Sequence, residues 1–297
     1  MRLPRLWAIL AVFLVIVTAL FGAPADYPPA LHTALVCLAV GVGLLLTWLA
    51  GARVIFRGHA DDTERLRATS ATLLIAPFIL FGLAPGIGPP RVQQPQDNEL
   101  RFLLLAIDAM LVGAALIVLK EGLSSAGERF YASAGWAAIV MATPLYVAFA
   151  LIQRVDYVAV ELNWSWAGAV SGDLHELTAL DAFSMAALFF AGALTYVATA
   201  AFAASLARVG WLGRGTAIAL QLLSGLGLAF LIARGFAYPS LAAAFSHWYT
   251  VPGFVAGIPA VPWMPLCAIG VLLLRRIGRE REASMGTLNV PVRPAAG

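Results

Sequence analysis

The chain has 297 residues, 61% of them hydrophobic and only 12% charged, with a net charge of +3. Soluble domains carry roughly 25% charged residues, so this chain lacks a polar coat to face water and lipid must be its solvent. Its basic residues, Lys120 and otherwise all Arg, are scattered through the connections between apolar segments, which excludes a nucleic-acid-binding face.

The first apolar run, Leu6–Ala23, follows Arg2 and Arg5. Ala23-Pro24-Ala25 resembles a cleavage site, but the run is longer than the ~7–15 residues of a signal-peptide core, so a retained helix is expected. Seven more apolar segments follow, at 30–50, 69–88, 101–119, 132–153, 181–206, 214–234 and 251–274. Each is near the ~20 residues that a bilayer requires. The fold class is therefore all-α, a polytopic bundle of about 8 transmembrane helices.

The connections test that count. With a cytoplasmic N-terminus, one side receives Arg2, Arg5, Arg53, Arg57, Arg65, Arg67, Lys120, Arg129, Arg208, Arg214, Arg275, Arg276, Arg279, Arg281 and Arg293. The other side receives only Arg91, Arg101, Arg154 and Arg234. This is the bias of the positive-inside rule, and it places both termini in the cytoplasm. Residues 1–274 form one membrane domain, and 275–297 read as a disordered cytoplasmic tail. A division into halves 1–120 and 131–274 is topologically allowed. It rests on slight similarity, ARV…RG at 52–58 against ARVGWLGRG at 207–215.

Helices in lipid associate through close backbone approach and polar contacts. Ala187, Ala191, Thr195, Thr199 and Ala203 recur every four residues and predict a packing seam. The last span carries Gly253 and Gly257, then Pro259, Pro262 and Pro265. That run predicts a kinked or broken helix, the kind whose freed carbonyls line transport sites. Cys37 and Cys267 stand in apolar segments without a CxxC and read as small buried hydrophobes.

The polar residues within spans are the first functional candidates. Asp108, in LLLAIDAMLVGA, lies about 10 Å along its helix from Arg101. An ionised carboxylate at that depth must be paired or protonated. Arg234 and Tyr146 are the expected partners. Gln221 and Tyr196 read as interhelical hydrogen-bonding residues.

The long connection 154–181, on the side poor in basic residues, holds the second group. His32, His175 and His247 all fall on that side, with Asp173 and Glu176 flanking His175. A metal site is not supported by their spacing, since no HxxxH, HExxH or HxH occurs. Asp173 and Glu176 read first as a capping box for the following helix. Trp164, Trp166, Phe236, Tyr238, Trp248 and Tyr249 read as an interfacial aromatic belt. GxSxG, Walker and GxGxxG motifs are absent, and so are in-span His pairs for haem. No cofactor is implied.

The expectation is a multi-pass protein of a bacterial inner membrane. It either transports a small solute or ion or serves as a subunit of a membrane complex. Its partners are the lipid bilayer and a second copy or another membrane protein, not nucleic acid. The alternative is a membrane-embedded enzyme with an outer-face site of His and carboxylates.

Overall fold

The structure, a computed structural model, describes residues 29–56, 61–80, 95–161, 179–234 and 260–288. Their helices are α1 (Pro29–Ala50), α2 (Asp62–Leu80), α3 (Pro95–Ser125), α4 (Phe130–Glu161), α5 (Ala179–Arg208), α6 (Arg214–Arg234) and α7 (Ala260–Leu288). A single 3-10 turn, Ala52–Phe56, joins α1 to the approach of α2. The expected first span, Leu6–Ala23, lies outside the described residues.

Among the described residues, five stretches are long and apolar enough to cross a membrane: Arg101–Ser125, Phe130–Arg154, Phe183–Arg208, Arg214–Ile232 and Val261–Glu280. The surface they present is apolar as well. On α3, Leu103, Met110 and Ile117 recur every seven residues and are all exposed; on α6, Ile218, Leu222 and Leu226 do so every four. Rows of exposed large hydrophobes along helices this long fit a lipid surround. The described chain is thus a helical membrane protein.

Consecutive helices pack side by side from α2 through α6, and α7 returns to contact α2, α5 and α6. The contacts between neighbours are antiparallel. Gly122 of α3 meets Leu66 of α2, Gly113 meets Thr143 of α4, and Gly135 of α4 meets Phe202 of α5. This gathers Arg65, Arg67, Lys120, Arg129, Arg208, Arg214, Arg275, Arg276 and Arg279 at one end of the bundle, called here the Arg-rich end. Arg101 and Arg154 stand at the opposite end. α3 packs directly on α4, across the cut expected between the halves.

Glycine allows the closest approaches. A Cβ at Gly270 of α7 would lie 2.7 Å from the backbone oxygen of Ala71 in α2. One at Gly227 of α6 would lie 2.5 Å from the Tyr196 ring of α5. Ala187, Ala191, Thr195, Thr199 and Ala203 of the α5 seam are all buried. Thr195 and Thr199 return their hydroxyls to the carbonyls of Ala191 and Thr195, which keeps the seam smooth.

Three expectations change. Cys267 is buried, but Cys37 is exposed, because α1 sits at the edge of the bundle with Leu38, Leu44 and Leu45 also facing outward. α7 is a continuous helix from Ala260 with Pro265 inside it. Gly253, Gly257 and Pro259 lie outside the described residues. Finally, α7 continues to Leu288, so the Arg-rich stretch read as the start of a tail is helical.

Gly270→Ala is expected to lower the unfolding temperature in detergent, at a cost of ~1–3 kcal/mol, by forcing α2 and α7 apart. Gly225→Ala, where a Cβ meets nothing within 4 Å, is the control. It is expected to leave stability unchanged or to raise it by up to ~1 kcal/mol. Equal shifts in the two variants would show that the close approach contributes nothing.

Candidate functional site

Asp108 is 0% exposed. Neither carboxylate oxygen has a hydrogen-bond partner among the described residues. The outward row Leu103, Met110 and Ile117 lies on the far side of α3, so helical periodicity turns Asp108 into the protein. It stands fourteen residues, nearly four turns, from Gly122 and therefore close to the face that meets Leu66 of α2. Fourteen residues beyond Leu66 is Leu80, the last described residue of α2. The carboxylate is level with Leu80, about 21 Å from the Gly122–Leu66 contact.

The expected partners are placed differently. From the Gly113–Thr143 contact, Tyr146 differs in depth from Asp108 by about 3 Å. Its hydroxyl, however, pairs with Thr195 Oγ1 at 3.3 Å, and its ring meets Trp263 edge-on at 5.3 Å. The one Thr195 proton goes to the Ala191 carbonyl at 2.7 Å, so Tyr146 is the donor of the pair. Tyr146 therefore joins α4, α5 and α7 and does not hydrogen-bond Asp108. Arg234 closes α6, which packs on α5 and α7, whereas α3 packs on α2 and α4. The Arg234 side chain lies outside the described residues.

Gln221 Nε2 donates to the Ala200 carbonyl at 3.4 Å, tying α6 to α5. Gln153 Nε2 donates to Ser184 Oγ at 3.1 Å, tying α4 to α5. Of the other candidates, His175, His247, Asp173 and Glu176 lie outside the described residues. His32 lies in α1, with its side chain outside them. Among the described residues no three His, Cys, Asp or Glu side chains come together to hold a metal.

The Arg-rich end carries two carboxylates that sequence reading passed over. Glu128 sits between α3 and α4, after Gly127, whose φ of +88° suits a left-handed helix stop. The bonds from Gly127 N–H to the Ser124 carbonyl and from Glu128 N–H to the Leu123 carbonyl close α3. Glu128 then caps α4, accepting from the N–H groups of Tyr131 at 3.2 Å and Ala132 at 3.1 Å. Ser205 Oγ of α5 donates to the same carboxylate. Burial pushes the Glu128 carboxyl up; the Ser205 hydroxyl, the two backbone N–H groups and the Arg208 charge outweigh it and hold the group below the usual carboxylate range.

The second carboxylate is Glu280 of α7. It accepts from buried Arg67 of α2 and from Arg276 Nε at 2.7 Å. The Arg67 guanidinium also lies over the Trp211 ring, 5.3 Å from its centre. An i,i+4 Arg276–Glu280 spacing was visible in the sequence. The Arg67–Glu280 pairing across 213 residues left no local signal.

These features define the class: a multi-pass helical membrane protein with, among the described residues, one buried in-span carboxyl without a hydrogen-bond partner, and a charge-clasped end. Compared with protein-family models, with curated proteins and with solved structures, the chain matches none.

The Glu128 cap gives stability a pH dependence. Because the folded group sits below its unfolded value, its contribution is fully present above the unfolded carboxylate pKa of about 4.3 and is lost as pH falls through the folded value. Glu128→Ala is expected to cost ~1–2 kcal/mol at pH 7. It should also flatten the acid limb of a thermal-unfolding profile below about pH 4.3. An unchanged acid limb would remove Glu128 as its source.

Proposed function

We propose that this chain is a transporter of a small solute or ion in a bacterial inner membrane, with both termini cytoplasmic and Asp108 as its proton- or cation-carrying group. The observation that carries this reading is the burial of Asp108 with both carboxylate oxygens unpaired among the described residues. Insertion scales place an in-span Asp at a cost of ~2.5–3.5 kcal/mol, so such residues mark ion and proton pathways unless they are structurally paired.

Two further observations support it. Tyr146 and Gln153 each have a named partner on a neighbouring helix; Asp108 has none among the described residues and, unlike the Ser70 and Ser224 hydroxyls that share this state, can carry a charge. Its position, about two turns along α3 from Arg101, puts the carboxyl away from the middle of the bundle. A group at that depth can exchange a proton or cation with one side without crossing the whole bilayer. The orientation rests on the excess of Arg at one end.

The test is flux in proteoliposomes loaded with a pH-sensitive dye under an imposed proton gradient and potential. The wild-type chain is expected to dissipate the gradient. Asp108→Asn should fall to the rate of empty vesicles while eluting from detergent at the same volume and unfolding at the same or a higher temperature. Asp108→Glu should retain partial flux. Equal flux in wild type and Asp108→Asn would remove Asp108 from the pathway. Loss of folded yield in Asp108→Asn would instead mark a structural polar contact.

A further inference from the structure

At the Arg-rich end a cavity of about 490 Å³ opens between α7 and the start of α6. That volume is within the ~300–1,000 Å³ of small-molecule sites. One wall is Arg275, Arg276 and Arg279 of α7; the other is Trp211 and Thr216, before and within the first turn of α6. Glu280 also lines it, but Arg67 and Arg276 already engage that carboxylate. Arg275 and Arg279 have no acidic partner among the described residues. They stand four apart on one helix face, where like charges repel.

The α6 wall is electropositive too. The first bond of that helix runs from Ala217 N–H to the Gly213 carbonyl at 3.0 Å. The N–H groups of Arg214, Gly215 and Thr216 therefore have no acceptor within the helix, and the positive end of its dipole faces the same space. The Thr216 hydroxyl adds a neutral donor on that wall.

We propose that this cavity binds a phosphate group, with Arg275 and Arg279 as its principal contacts and Thr216 and the α6 amides completing the cradle. Guanidinium forks and free helix N–H groups are the donors that match phosphate oxygens. The cavity lies at the membrane edge of the Arg-rich end, where the phosphodiester of an anionic phospholipid is the phosphate at hand; basic pockets between transmembrane helices recognise such headgroups. Trp211, held beneath the Arg67 guanidinium, supplies an apolar floor to the cavity. Glu280 keeps Arg276 turned along α7 and so leaves the other two guanidinium groups for the ligand.

The test uses the full chain in neutral detergent, with lipid retention read by native mass spectrometry. The probes are phosphatidylglycerol, phosphatidylcholine and inorganic phosphate. The wild-type chain is expected to retain phosphatidylglycerol in preference to phosphatidylcholine. Arg279→Gln, at an exposed position, should weaken phosphatidylglycerol about fivefold. Arg275→Gln combined with Arg279→Gln should weaken it by the product of two such factors. Arg275→Lys with Arg279→Lys should recover part of the loss. Arg129→Gln, at the same end but outside the cavity, should leave retention unchanged.

Displacement of phosphatidylglycerol by millimolar inorganic phosphate, with the same dependence on Arg275 and Arg279, would support the phosphate site and identify a free anion as its ligand. Equal retention of the two lipids would overturn the proposal. So would an unchanged double Gln variant, or a loss in Arg129→Gln as large as in Arg279→Gln.

Discussion

A charge stays at the edge of hydrocarbon only when another charge or a set of hydrogen bonds holds it. The Arg-rich end is built on two carboxylates that meet this constraint. Glu280 binds α2 to α7 through Arg67, and Arg67 in turn covers Trp211, fixing the connection between α5 and α6. Glu128 closes the α3–α4 turn and reaches Ser205 of α5. Helices distant in sequence are therefore registered against one another at one end by charge. Glycine contacts and the α5 seam carry that register through the membrane, where lipid supplies no hydrophobic drive for association.

The sequence made the spans legible because bilayer thickness imposes a length and because charge is excluded from them. The expected 101–119, 132–153, 181–206, 214–234 and 251–274 segments each overlap one of the described stretches long and apolar enough to cross a membrane. Helix ends were less legible. α3 and α4 run on to Ser125 and Glu161, since hydropathy marks where lipid stops and a helix continues until a cap or glycine ends it. The clasps were hidden for different reasons. Glu128 lies in a short charged turn that composition alone reads as solvated. Arg67 and Glu280 each look like one more interfacial charge until the fold brings them together. Asp108 was the reverse case: an acid within LLLAIDAMLVGA stands out from sequence alone, but its partners do not. Tyr146 proved to be committed to Thr195 and Trp263.

The two ends of the bundle thus handle charge in opposite ways. At the Arg-rich end, carboxylates are matched by guanidinium, hydroxyl and backbone donors, and the surplus is positive. Toward the other end, a single carboxyl is sunk two turns below Arg101 with neither oxygen bonded among the described residues. Gln153, Gln221 and Tyr146 each have a helix-crossing bond, whereas the Ser70 and Ser224 hydroxyls, like the Asp108 oxygens, have no hydrogen-bond partner among the described residues. What sets Asp108 apart is its capacity for charge, since an unbonded carboxylate costs far more in lipid than an unbonded hydroxyl.

A transport reading also requires two arrangements of the helices around that carboxyl. α2 and α7 are locked by the Arg67 clasp and by the backbone approach at Gly270. α4 and α5 are locked by Glu128, by Thr195–Tyr146 and by Gly135 against Phe202. Between these two rigid pairs, the Tyr146–Trp263 ring contact is a meeting of side chains with no hydrogen bond between them. Edge-to-face aromatic pairs are worth ~0.5–1.5 kcal/mol beyond their buried area, less than the combined clasp and backbone contacts that hold either pair together. The Tyr146–Trp263 contact is therefore a weaker tie than those within either pair, and a shift there would also slide α7 against α5. α3, which carries Asp108 and packs on both α2 and α4, is the helix that any such shift would have to re-seat.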